Sequence, residues 1–339
     1  MRTREGDLIK TKNNVIFDVK GLVHPPDRVI AFPRYIPSPT GNRHKGKNTY
    51  GKVYNLAKRF EYLRQNAPNL LVHDPVLDED LCEVPFNTIK KHYNPIAKLG
   101  ALCKSEKLEP LEKKAVQLAQ DLKETSGIPW NAIGISGSVL AGLYTVKSDF
   151  DPIVYGVDSC IKAYAALKDM LEDGNSRFNR YSRDELRKLF DFRSKDTIMN
   201  FEDFARVEQR KAFQGMFEGA DYFVRFVKDW SEVCRRYGEV SYRNKGYAKI
   251  IATVVDDTWA LFTPCSYQIE NATVVEGSRL ESITEIASFR GRFCEQAMKG
   301  ETVTAQGKVE LVINMKTKKE HYRLILGNKP TDYLVLSRD

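Results

Sequence analysis

Asp149 and Asp151 stand two residues apart in a segment that runs on into Ile153, Val154 and Tyr155. Side chains at i and i+2 leave the same face of a strand, so both carboxylates are expected to face one point. Two like charges held that close repel unless a cation lies between them, and hard oxygen ligands favour Mg²⁺ or Mn²⁺. Upstream, Ile133 and Ile135 lead into Gly137-Ser138 as a short buried strand leads into a turn and helix. Such a turn aims backbone N–H groups and the Ser138 hydroxyl at an anion, and phosphate suits it. Metal-holding acids beside a phosphate turn make a site for a nucleoside triphosphate.

This run, Asn131 to Gly156, resembles the signature of the nucleotidyltransferase superfamily, which includes DNA polymerase beta, the CCA-adding enzymes and the aminoglycoside nucleotidyltransferases. The family pattern is Gly-Ser, about ten residues, then Asp-x-Asp on the next strand. Gly137, Ser138, Gly142, Ser148, Asp149 and Asp151 carry the resemblance. Two positions depart from it. Ala141 stands where many members have Arg, and Pro152, directly after the second acid, removes a ladder N–H and predicts an edge or distorted strand. Taken whole, the chain resembles the uncharacterised predicted nucleotidyltransferases of archaea, through Gly21, the run His24 to Ile30, Gly51 to Tyr54, the motif itself, and Phe262 to Cys265.

The resemblance implies an α+β fold, with a polymerase beta-like nucleotidyltransferase core between an N-terminal α+β segment and a small C-terminal β-barrel or sandwich. It implies a nucleoside triphosphate docked near Gly137, Ser138 and Ser148, with divalent ions on Asp149 and Asp151. A nucleoside monophosphate would then pass to an acceptor hydroxyl and pyrophosphate would leave. Lys147 is placed to steady the triphosphate. Family members add a third carboxylate from a neighbouring strand. Asp221, opening the strand Tyr222 to Val227, is the choice here; Asp229 and the pair Asp256-Asp257 are the other acids, and Arg225 lies mid-strand where the acid would stand.

The elements around the motif follow from periodicity. Strands are expected through residues 7–10, 15–20 and 28–36, then a mobile basic loop over 37–48 and a helix from Tyr50 to Gln65. Residues 85–126 read as helical, 159–173 as an amphipathic helix capped by Ser159, and Ser182 with Glu185 as a capping box. Residues 247–255 and Trp259 to Phe262 read as further strands, and from Cys265 onward short strands with Gly300, Gly307 and Gly327 near the turns predict a small barrel or sandwich, an OB-like barrel among the candidates. The expected segments are 1–84, 85–126, 127–262 and 263–339.

Composition narrows the class. The chain has 339 residues, 42% hydrophobic and 29% charged, a formal net charge of +8 and no run of about 18 apolar residues. With no apolar stretch after Met1 the expected location is cytoplasmic, with no membrane partner. Its six cysteines are scattered singly, so neither a zinc ribbon nor a disulfide framework is indicated. Arg34, Arg43, Lys45, Lys47 and Lys52, with His44, interleave with Tyr35, Tyr50 and Tyr54, offering cations for backbone phosphates and rings for stacking. RNA is therefore the expected acceptor. The alternatives are a catalytically weak or inactive nucleic-acid-binding protein on the same fold, and a nucleotidyltransferase that modifies a protein or a small molecule.

Overall fold

The alternating N-terminal residues pair as strands β1 (Leu8–Thr11), β2 (Ile16–Val19) and β3 (Arg28–Pro37) in the computed structural model, which describes residues 1–195, 197, 199–278 and 282–337. Residues 37–48 are not simply a loop. They include β4 (Arg43–Lys45), which forms a hairpin with β5 (Asn48–Lys52), and β5 pairs with β3. That pairing takes the first residues of the expected helix, so α1 (Leu56–Asn66) begins only after Asn55, whose side chain accepts the Lys58 N–H. A sheet of order β4-β5-β3-β2-β1-β8 results, with β6 (Leu71–Asp74) and β7 (Glu79–Pro85) joined through β3, and β8 (Ile89–Tyr93) closing the far edge.

Two helices follow, α2 (Pro95–Cys103) and α3 (Pro110–Ser126). The second opens on a capping box between Glu109 and Glu112 and stops at left-handed Gly127. Then come β9 (Ile133–Ile135), α4 (Gly137–Ala141), β10 (Pro152–Tyr155) and α5 (Val157–Glu172), which starts earlier than Ser159. Gly134 is required where α2 crosses β9: a Cβ there would lie 2.6 Å from Pro95 Cβ and 2.8 Å from its carbonyl carbon. The expected strand 222–227 is two strands. After β11 (Phe178–Asn179) and β12 (Gln214–Phe217), β13 (Ala220–Phe223) pairs with β12, and β14 (Arg225–Val227) pairs with β10. The break is at Val224, whose N–H turns away to the Phe213 carbonyl at 2.7 Å. The second sheet is therefore three-stranded, β14-β10-β9, with β10 parallel to β14 and antiparallel to β9.

Helices α6 (Arg183–Arg193) and α7 (Phe201–Glu208) pack together, the former opened by the Ser182–Glu185 capping box. The C-terminal strands are β15 (Val240–Asp256), β16 (Cys265–Gly277), β17 (Ile283–Ser288), β18 (Thr302–Asn314), β19 (Glu320–Leu326) and β20 (Tyr333–Leu336). They close as β15-β16-β17-β19-β18 and back to β15, with β17 and β19 parallel and β20 added on β18. Residues 259–262 are not a strand but a turn, with the Trp259 and Phe262 rings 5.4 Å apart.

The chain divides into two compact units. One is Met1–Val72, Leu81–Arg180 and Ala212–Cys234; the other is His73–Asp80, Tyr181–Lys211 and Arg235–Asp339. The segments expected as 1–84 and 85–126 thus belong almost wholly to the unit that holds the Gly-Ser and Asp-x-Asp motif. The barrel starts ahead of residue 263, because β15 is one of its walls. The whole is a mixed α/β protein, and no described helix is long and apolar enough to cross a membrane.

Candidate functional site

The acid pair lies just ahead of β10, on an extended run in register with β13 and β14. Phe150 bridges Tyr222 in parallel, as Ile153 pairs with Arg225 further along. Pro152 falls where this ladder is interrupted, as befits a residue without an N–H, yet β10 is the middle strand of its sheet and not an edge. Alternation puts Phe150, Val154, Tyr222 and Phe226 on one face, all buried. The opposite face carries Ile153, Tyr155 and Val227, which pack with Leu22 and Ile96. Asp149 and Asp151 continue this second face beyond its apolar part, half-buried.

The Gly-Ser turn meets the second acid directly. Ser136 N–H donates to the Asp151 carbonyl at 2.8 Å, and its hydroxyl donates to the Gly6 carbonyl at 2.6 Å. Gly137 has φ 59°, and a Cβ on it would lie 1.7 Å from Asp151 Oδ2. Only glycine lets the turn touch the carboxylate. Ser138 is fully buried and its hydroxyl has no hydrogen-bond partner. Burial and then the Asp149 charge push the Asp151 carboxyl up to about 6, against the opposing charges of Lys52, Arg225 and Arg34. Those cations therefore belong to the surroundings of the pair.

Several expected site residues have other occupations. Ser148 is buried and accepts the Thr145 N–H at 2.9 Å, so its hydroxyl fastens the preceding turn. Lys147 is exposed. Asp221 is exposed on β13, and although its carbonyl accepts the Phe150 N–H at 2.9 Å, its carboxylate completes no metal-binding group. Among the described residues no three of His, Cys, Asp and Glu gather to hold a metal ion, so the third carboxylate is not found at Asp221. Asp229 pairs with Arg4 at 2.8 Å, and Asp256 caps its own turn by accepting the Thr258 N–H at 2.8 Å. Where the third acid would stand, Arg225 meets Glu5 at 2.6 Å. Glu5 is wholly buried and also holds Lys20 at 3.1 Å and the Gly21 N–H at 2.8 Å.

The basic segment is reorganised too. Arg43 is 8% exposed and its guanidinium donates to the Leu143 carbonyl, while Lys45 donates to the Ala141 carbonyl. Both brace the end of α4, Arg43 from a buried position and Lys45 from a half-buried one. Burial, with the charges of Lys91, Lys10 and Lys98, lowers Lys45 to about 8. Tyr35 and Tyr50 are fully buried with Leu140, Ala141 and Leu143, so no base can stack on them. Lys47 is exposed at the hairpin turn, and Tyr54 is 43% exposed. Glu5 was missed in the sequence because nothing local marks it. Tyr35 is no stacking ring: its hydroxyl is buried without a partner, and burial, with the charges of Asp151 and Asp149, raises its pKa.

A carboxylate pair locked to a Gly-Ser turn inside a mixed α/β unit defines the class of site. The chain is 30% identical over 336 residues to the uncharacterised protein MJ1086 of Methanocaldococcus jannaschii, covering 96% of each, and it belongs to the family of that archaeal protein. No family model and no solved structure matches it.

Proposed function

We propose that the protein is a metal-dependent nucleotidyltransferase that moves a nucleoside monophosphate from a nucleoside triphosphate to an acceptor hydroxyl. The observation that carries this reading is the contact of the Gly137 backbone with the Asp151 carboxylate, which makes turn and acids one site. The order of elements supports it as well. Strand, short helix, strand, long helix and a further strand parallel to the second give a mixed sheet with the acids at the start of its middle strand, as in polymerase beta-like cores.

The residues fit a divalent cation. Burial, and after it the Asp149 charge, raises Asp151 to about 6, a strain that a cation between the carboxylates relieves, and Mg²⁺ is held through one or two carboxylates together with phosphate oxygens. Asp149 and Asp151 would hold Mg²⁺ or Mn²⁺, which when bound supplies Lewis-acid stabilisation of the phosphoryl and acceptor oxygens. The protein's own part is positional. Ser138 has a hydroxyl proton to give to a phosphate oxygen, and giving it satisfies a group that otherwise has no partner. Asp151 keeps the turn in place through its carbonyl, which accepts the Ser136 N–H.

RNA is the acceptor this reading favours. The closed five-strand circuit with its parallel β17–β19 pair has the strand order of an OB barrel, a fold that binds single strands along its face and loops. A second reading, a nucleic-acid-binding protein on the same fold without transfer, is favoured by Arg225 standing beside Glu5 where a third carboxylate would be. Calorimetric titration with ATP and Mg²⁺ should show binding that Asp149→Ala abolishes. Incubation with labelled nucleoside triphosphates, Mn²⁺ or Mg²⁺ and cellular RNA should move label to RNA in an Asp151-dependent manner. Label on protein instead would shift the acceptor class. Good nucleotide binding with no transfer would establish the second reading, and unchanged affinity in Asp149→Ala would sink the site.

A further inference from the structure

Strands β3 and β5 bring two cations to the same place. Tyr35 pairs with Lys52 across the ladder, and the Val53 N–H donates to the Arg34 carbonyl at 2.9 Å. Both cationic heads reach the exposed Tyr54 ring, the Arg34 guanidinium 4.8 Å and the Lys52 ammonium 4.5 Å from its centroid. Among the described residues neither closes an ion pair with a carboxylate within 4.0 Å, although both charges act on Asp151. Arg34 spends one donor weakly on the Val53 carbonyl at 3.4 Å.

The same strands carry an independent sign of a missing partner. Tyr35, next to Arg34, is fully buried with a hydroxyl that has no partner, and it packs with Leu140 and Ala141 of α4, the helix that also carries the buried and unpartnered Ser138 hydroxyl. A buried hydroxyl without a partner costs about 1–3 kcal/mol, so such groups mark places where something polar is to come. Cations without a carboxylate partner, on two strands whose Tyr35 and Tyr50 pack against the helix of the phosphate turn, suit a compact polyanion better than a strand of nucleic acid, for which those buried tyrosines offer no ring surface.

We infer that Arg34 and Lys52 grip the β- and γ-phosphates of the nucleoside triphosphate, so that the N-terminal sheet supplies the cationic half of the nucleotide site. Tyr54 holds the two side chains in reach by cation–π contact. This rests on the nucleotidyltransferase reading and assigns the part of the substrate that distinguishes a triphosphate from a monophosphate. Arg34 and Lys52 are thereby binding residues for the nucleotide and not part of an RNA surface.

Titration of the full chain with AMP, ADP and ATP in Mg²⁺, for wild type, Lys52→Gln and Arg34→Gln, tests it. Wild-type affinity should climb from AMP to ATP. Each variant should lose about tenfold to hundredfold for ATP, the worth of a charge-assisted hydrogen bond, and little for AMP. Lys52 makes only a ring contact, so Lys52→Gln decides the matter if Arg34→Gln melts early. A variant that keeps the wild-type ATP-to-AMP ratio, or loses affinity equally for all three, overturns the inference while the nucleotide site stands. So does a loss confined to single-stranded RNA. A wild type that binds none of the three overturns the nucleotidyltransferase reading and this inference together.

Discussion

Gly137 and Ser138 are neighbours with opposite economies. Gly137 is constrained by its surroundings: φ of 59° and the Asp151 carboxylate leave no space for a side chain. Gly137→Ala should therefore cost about 2–4 kcal/mol, from left-handed strain and overpacking, and displace Asp151. Thermal melting and nucleotide titration should report both losses. Ser138 has a hydroxyl that the folded protein does not use. Ser138→Ala should leave stability within about 1 kcal/mol of wild type, or raise it, while nucleotide affinity falls. A Ser138→Ala protein that melts early with affinity intact would make the hydroxyl structural.

Hairpin β4–β5 reads in sequence as a basic loop and acts in the structure as a brace. Arg43 and Lys45 satisfy carbonyls at the end of α4, a helix of only five residues that ends at left-handed Gly142. Arg43→Ala should destabilise by about 2–3 kcal/mol, since a buried carbonyl loses its donor, and should leave the salt dependence of RNA binding as it was. Denaturant melts and a salt series separate those outcomes. The entry to β3 carries a pH sensitivity of its own. His24 Nδ1 accepts the Ile30 N–H at 3.2 Å and Nε2 lies 3.1 Å from the Thr3 carbonyl, so the neutral ring donates there. Burial lowers this histidine to about 4. The unfolded chain takes up the proton near pH 6.5 and the folded chain does not, so stability is full above 6.5 and falls as pH drops from 6.5 towards 4. The loss from His24 should be about 3 kcal/mol by pH 4, and His24→Gln should flatten the fall.

For the molecule as a whole, a formal net charge of +8 leaves cations to spare after Arg43, Lys45 and Arg225 are committed to carbonyls and to Glu5. On the barrel, the turn between β18 and β19 exposes Lys318 and Lys319. In an OB-like barrel this is one of the loops that meet single strands. If single-stranded RNA is the acceptor, its affinity falls with salt, and replacing both lysines with Gln should flatten the slope of log affinity against log salt by about 1.4, at roughly 0.7 per phosphate. Nucleotide affinity should not change. An unaltered slope would remove this turn from the RNA surface.

Local chemistry was legible in the residues alone. The strand alternation that puts Asp149 and Asp151 on one face, the Gly-Ser turn before them, the Ser182–Glu185 cap and the run of short strands after residue 263 all express short-range backbone preferences, which neighbours in sequence decide. The boundaries that shifted are those where a distant strand competed: β3 drew residues 48–52 out of the helix pattern, and β12 drew 220–223 away from β14. Which charges are free could not be read locally. Glu5 reaches Arg225 across 220 positions, Arg43 reaches Leu143 across 100, and the separation decides nothing that composition records. An ion pair or a buried donor forms only where packing removes water from both partners, so tertiary structure alone determined that the N-terminal sheet stands at the acid pair, with Arg34 and Lys52 acting on Asp151.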